Sequence, residues 1–209
     1  KDIFWSDSRI YISKDQAKEE NGKPVLDRME LQLKRSGILN TTFTKKPDLN
    51  WSVRNIKNII NQNFEGKYIL VFPFCSEKLE KKRWPYYNDL ITLLNREYGS
   101  RYNIAIAPGP DEIKKAKNFK TNIILNKNLP LNVSELISLI KNASYIISND
   151  TGPAHICAHL NKKGLALFGS HTSPEKVSIG SDNFKSITVD NLKNLNVADV
   201  FEKIKEELN

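Results

Sequence analysis

Tyr145-Ile146-Ile147-Ser148-Asn149-Asp150-Thr151-Gly152-Pro153-Ala154-His155 is the stretch on which the fold turns. Its first three residues are aromatic or β-branched and read as a short buried strand. Ala154 to Leu160 read as a helix, and Pro153 suits its first turn, where a missing N–H would have no helical partner. The turn between them holds two residues able to cap, Asp150 and Thr151. Gly152 lets another group approach the backbone. A strand that passes straight into a helix through such a turn offers free amides at the positive end of a helix dipole, which suits an anion and above all a phosphate. The same residues also describe a plain capped helix behind a buried strand, and local pattern alone leaves both readings open.

The flanking sequence repeats the alternation. Tyr68 to Phe72 is a continuous apolar run, as expected of a strand buried on both faces. Asn103 to Ala107, Asn122 to Leu125, Gly164 to Phe168 and Ser186 to Val189 read as further strands. Helical spacing falls between them. Tyr87, Leu90, Ile91 and Leu94 share a face, as do Val133, Leu136, Ile137 and Ile140, with Asn132 and Glu135 placed as a capping box. Val197, Val200, Phe201, Ile204 and Leu208 form a last helix. Strands alternating with helices predict an α/β fold: a Rossmann-like, mostly parallel sheet with helices on both faces and Tyr68 to Phe72 central.

Upstream the signal is weaker. Trp5 and Ile10-Tyr11-Ile12 read as a short strand or docking segment, and the charged run Lys14 to Gly22 as loop. A helix is expected from Pro24, with Leu26, Met29 and Leu33 on one face and Gly37 past its end. Residues 38–50 read as linker, and another helix is expected from Val53 with Ile56, Ile59 and Ile60 on one side. The expected division is 1–62, helices and linker that connect to or remain from an N-terminal domain, and 63–209, the Rossmann-like domain.

The 209 residues are 39% hydrophobic and 27% charged, enough apolar content for a globular core. No apolar run approaches the ~20 residues of a membrane span, and Lys1 to Arg9 has no signal-peptide core. Cys75 and Cys157 form no CxxC pair, so a reduced, cytosolic setting is expected. The net charge of +8 suits anionic partners. The Lys and Arg residues are scattered and match no nucleic-acid motif, so no nucleic-acid partner is expected.

Asp150-Thr151-Gly152-Pro153-Ala154-His155, followed by a helix and the strand Gly164-Leu165-Ala166-Leu167-Phe168-Gly169, resembles the signature of glycosyltransferase family 9, the heptosyltransferases of lipopolysaccharide core synthesis and their relatives. The resemblance runs over roughly residues 25–209 and implies the C-terminal, donor-binding domain of a GT-B glycosyltransferase.

Three loops at strand carboxyl ends, where α/β sheets bind ligands, then gain expected roles. Pro73-Phe74-Cys75-Ser76, continuing to Lys81-Lys82-Arg83-Trp84-Pro85, resembles the family loop in which a hydroxyl residue precedes Lys-x-Trp-Pro. Ser76 and Lys82 match the positions that hold the donor's phosphates, and a lysine there would neutralise charge on the leaving diphosphate. The other reading of Lys82 is a solvated lysine in a basic loop. Trp84 anchors and Pro85 starts the next helix. Phe74 departs from the family's glycine.

In Pro108-Gly109-Pro110-Asp111-Glu112, the resemblance assigns Glu112 to the ribose hydroxyls, while helix-dipole chemistry alone would place an acid there as well. In the third loop it gives the amides of Thr151 and Gly152 to the diphosphate and Asp150 to the donor sugar. His155 stands behind them or is a partly buried, hydrogen-bonded histidine. Phe168-Gly169-Ser170-His171-Thr172-Ser173-Pro174 resembles the family's Phe-Gly-x-Thr-x-Pro with one extra residue. Thr172 there closes over the donor or sits in an ordinary surface turn.

His155 and His159 are four apart but lack a third ligand at useful spacing, so no metal is expected. No cofactor is expected either, because the family transfers without an essential metal. The implied donor is a nucleotide-diphosphate sugar resembling ADP-heptose, and the acceptor a hydroxyl of a glycolipid or lipopolysaccharide-core-like glycan. The implied setting is cytoplasmic, peripheral on the inner face of the inner membrane, with contact to anionic lipid. The family's general base lies in an N-terminal domain that residues 1–62 do not resemble, so this chain alone is expected to bind donor and transfer poorly. Two other functions remain open: a nucleotide-binding or interaction module without transfer activity, favoured by Phe74 and the extra residue before Thr172, and a nucleotide-sugar epimerase of similar architecture.

Overall fold

The computed structural model describes residues 13–41, 45 and 47–208, so the segment around Trp5 and Ile10 to Ile12 lies outside the described residues. In chain order the elements are α1 (Lys14–Glu20), α2 (Val25–Arg35), α3 (Lys57–Asn63), β1 (Tyr68–Phe72), α4 (Tyr87–Tyr98), β2 (Asn103–Ile106), α5 (Ile113–Ala116), β3 (Asn122–Ile123), α6 (Val133–Asn142), β4 (Tyr145–Asn149), α7 (Gly152–His159), β5 (Gly164–Phe168), β6 (Phe184–Thr188) and α8 (Val197–Leu208).

The six strands form one sheet in the order β3-β2-β1-β4-β5-β6, and every pairing is parallel. This is the strand order of a doubly wound Rossmann sheet, whose direction of winding reverses between β1 and β4. Alternate residues of β1 enter opposite cores. Leu70 and Phe72 pack with α3, α6 and α7 through Ile59, Leu139, Ala154 and Cys157. Ile69 and Val71 pack on the other face with α4 and α8 through Leu90, Leu94, Val200 and Ile204. The two-sided burial explains the unbroken apolar run in the sequence.

Gly164 shows how closely the strands meet. A Cβ there would stand 2.5 Å from the Ile146 carbonyl oxygen and 2.7 Å from the Phe184 ring.

Several elements differ from expectation. Lys14 to Glu20 is helical rather than loop, because Ser13 and Gln16 form a capping box and Glu20 is buried against Arg35 and Gln32 of α2. α3 begins at Lys57 rather than Val53; the Asn55 side chain accepts from the Lys57 amide at 3.1 Å and holds the preceding residues out of the helix. β3 is two residues long because Lys127 and Asn128 turn the chain with φ of 50° and 66° into an antiparallel bridge between Asn126 and Leu129. In α6 the capping box forms as expected, but Val133 lies 68% exposed in the first turn and Leu139 takes its place in the core. Val25 N donates to the Lys176 carbonyl at 2.9 Å and Leu26 N to Ser178 Oγ at 3.3 Å, which ties α2 to the loop after β5.

Candidate functional site

The loops that follow β1, β2 and β4 meet at the switch point of the sheet. Between them is a cleft of about 270 Å³ lined by Phe72, Phe74, Cys75, Ser76, Pro108, Gly109, Glu112, Thr151, Gly152 and Pro153, among others. Four expected residues are therefore brought together: Ser76, Glu112, Thr151 and Gly152. Thr151 is the N-cap of α7 in extended conformation, but its hydroxyl does not cap; it lies 3.2 Å from Ser148 Oγ. Thr151 and Gly152 form the N-terminal end of α7, the positive end of its dipole, and line the cleft. Glu112 Oε2 accepts from the Gly109 amide at 2.7 Å, so it does cap, and it lines the cleft as well. Burial raises the pKa of the Cys75 thiol, so it is no ready nucleophile.

Beside the cleft is a second group. Asp150 is buried, with 2% of its side chain exposed, and is not a helix cap. Its Oδ2 accepts from Lys82 Nζ at 2.6 Å and lies 3.1 Å from His171 Nε2. His155 Nε2 stands 3.9 Å from Oδ1, beyond hydrogen-bond reach. Burial lowers the His155 pKa, opposed by the Asp150 charge and assisted by Lys82. Lys82, expected on an exposed loop, is instead 22% exposed and paired. Thr172 is half-buried in the loop after β5, outside both groups.

The scaffold behind the site is Asn149, fully buried. Its Oδ1 accepts from the Trp84 amide and from Tyr87 Oη, each at 3.1 Å, and so fastens the Lys82 loop to the end of β4. Trp84 Nε1 donates to the Leu195 carbonyl at 2.9 Å, which gives Trp84 its expected anchoring part. Phe74 is buried and meets Phe119 edge-on at 5.6 Å, and it forms part of the cleft wall as well. Sequence reasoning missed Asn149 and His171. Among the described residues no group of three His, Cys, Asp or Glu side chains is gathered as a metal would need, and no helix is long and apolar enough to cross a membrane.

A doubly wound parallel sheet with a cleft at its switch point defines a Rossmann-like α/β domain. Residues 8–205 match the profile of Glycosyltransferase family 9 (heptosyltransferase), and the chain belongs to that family. It is 31% identical over 118 residues to lipooligosaccharide heptosyltransferase 2 of Haemophilus influenzae, covering 50% of this chain and 32% of the relative. The fold is similar to that of E. coli heptosyltransferase WaaC with ADP-2-deoxy-2-fluoro heptose, with TM-score 0.58 and 19% identity over 86% of this chain and 54% of that one. It is similar too to Methanocaldococcus jannaschii UDP-GlcNAc 2-epimerase in complex with UDP-GlcNAc and UDP, with TM-score 0.57 and 19% identity over 88% of this chain and 52% of that one. The chain thus spans about a third to just over half the length of these relatives.

Proposed function

We propose that this chain is the donor-binding part of a heptosyltransferase-type enzyme. It would take a nucleotide-diphosphate sugar resembling ADP-heptose and pass the sugar to a hydroxyl of a lipopolysaccharide-core-like glycan. The observation that carries the reading is the pair of groups at one switch point: an anion-ready cleft, and a lysine and a buried carboxylate beside it. In this reading the Thr151 and Gly152 amides and Ser76 hold the diphosphate, and Glu112 accepts from the ribose hydroxyls. Lys82 moves onto the phosphates and offsets the charge that grows on them as the glycosidic bond breaks. Asp150 accepts from the sugar's hydroxyls, His155 stands behind it, and Thr172 belongs to a loop that closes over the donor. The acceptor's proton goes to a base outside this site, an acidic residue of an N-terminal domain to which residues 1–62 connect. We place the reaction in the cytoplasm at the inner face of the inner membrane, where a basic chain of net charge +8 would meet anionic lipid.

A second reading, an epimerase of nucleotide sugars, is favoured by the comparable fold similarity to an enzyme solved with UDP-GlcNAc.

The test is a thermal-shift panel of ADP, UDP, GDP and their sugar conjugates, with and without EDTA. ADP or an ADP-sugar at about 100-fold excess over its dissociation constant adds ~2.7 kcal/mol and raises the melting temperature accordingly, and EDTA leaves the shift unchanged. A shift with UDP alone supports the epimerase; no shift with any nucleotide at millimolar concentration refutes both.

A further inference from the structure

We propose that His171 is a positioning residue for Asp150, holding that carboxylate in place when Lys82 is drawn onto a diphosphate. The ligand in this inference rests on the donor-site reading above; the geometry does not depend on it. Asp150 Oδ2 has two donors in the unliganded chain, Lys82 Nζ at 2.6 Å and His171 Nε2 at 3.1 Å. A carboxylate only accepts, so this contact places a proton on Nε2. The other ring nitrogen, Nδ1, is buried and has no partner. The imidazole's one side-chain hydrogen bond is therefore to Asp150, and an unpaired buried nitrogen is tolerated to keep it there. Gly169 makes the room: a Cβ at that position would stand 3.3 Å from Nδ1.

The two donors differ in freedom. The Lys82 side chain is 22% exposed on a flexible stem, whereas the side chains of His171 and Asp150 are 5% and 2% exposed. A diphosphate in the adjoining cleft competes with Asp150 for the single ammonium of Lys82. When Lys82 shifts, a carboxylate held by Lys82 alone would be left buried without a donor, free to turn from the sugar. His171 removes that liability. Its loop, Gly169-Ser170-His171-Thr172, carries one residue more than the family pattern it resembles.

The test compares wild type, His171→Leu and His171→Gln by titration calorimetry with ADP and with an ADP-hexose, each variant's melting curve serving as the fold control. His171→Leu is expected to bind ADP within about twofold of wild type and the ADP-hexose roughly tenfold more weakly, as for loss of a hydrogen bond to a charged group. His171→Gln, which retains an N–H donor of similar reach, recovers most of that loss. Equal losses for both ligands, no loss, or no recovery with Gln overturns the proposal.

If wild type binds no nucleotide, the donor-site reading fails, and ligand-free NMR still decides the positioning role. With three histidines in the chain, ¹⁵N spectra are assignable by single variants. His171 is expected as the Nε2–H tautomer, with a proton that persists in Lys82→Met and is lost in Asp150→Ala. An Nδ1–H tautomer, or a signal indifferent to Asp150, overturns the role.

Discussion

Lys82 Nζ lies 2.6 Å from Asp150 Oδ2, although 68 positions separate the two residues in the chain. The lysine is thus part of the folded structure before any ligand arrives. Were Lys82 a solvated lysine, Lys82→Ala would leave the unliganded chain nearly untouched, as for any exposed charge. With Asp150 buried beneath it, the substitution leaves a carboxylate short of its closest donor. The expected cost is roughly 1–3 kcal/mol of unfolding free energy, with a further loss of nucleotide-diphosphate affinity. Urea denaturation of the unliganded variant checks the first part. A midpoint equal to wild type would mean the ion pair contributes nothing to the fold.

Gly164 permits no side chain. Gly164→Ala forces a Cβ to within 2.5 Å of the Ile146 carbonyl and against the Phe184 ring. Strand separation between β4 and β5 has to give, and overpacking of this kind costs roughly 1–3 kcal/mol, occasionally more. Gly180→Ala is the control, because nothing lies within 4 Å of a Cβ there. Chemical denaturation of both variants is expected to show a lower midpoint for the first alone.

Acidification tests the burial of α7's histidines. Burial lowers the pKa of His155, and burial together with His155 lowers that of His159. In the unfolded chain both titrate near the ordinary value of about 6.5. As pH falls below that value the unfolded chain takes up protons that the folded chain refuses, so stability is lost on acidification until the folded-state pKa values are passed. Melting temperature is expected to drop between about pH 7.5 and pH 5.5, and less steeply in His159→Gln. A flat profile would mean these imidazoles are as hydrated folded as unfolded.

The sheet was legible because parallel strands buried on both faces carry unbroken apolar runs, and β1, β5 and the first three residues of β4 are such runs. α1 was not legible. It is held by a capping box and by ion pairs to α2 instead of an apolar stripe, so it has no hydrophobic period to detect. At the site, the sequence marked Ser76, Glu112, Thr151 and Gly152 for one cleft, and one cleft receives them. Asn149 was invisible because its partners, Trp84 and Tyr87, are 65 and 62 positions away. His171 has no task legible from its motif, since only the path of the loop after β5 returns it to Asp150, 21 residues earlier.

The pairing of Phe72 with Ser148 sets the loop after β1 level with the turn after β4. A slip of one residue between these strands would carry Asp150 about 3.3 Å along the strand direction and turn alternate side chains to the wrong face. Lys82 and Asp150 would then no longer meet. Any ligand that needs both therefore binds only molecules whose central strands are in step, and by mass action draws the population toward them. A ligand that holds both residues would thereby select the register that creates its own site.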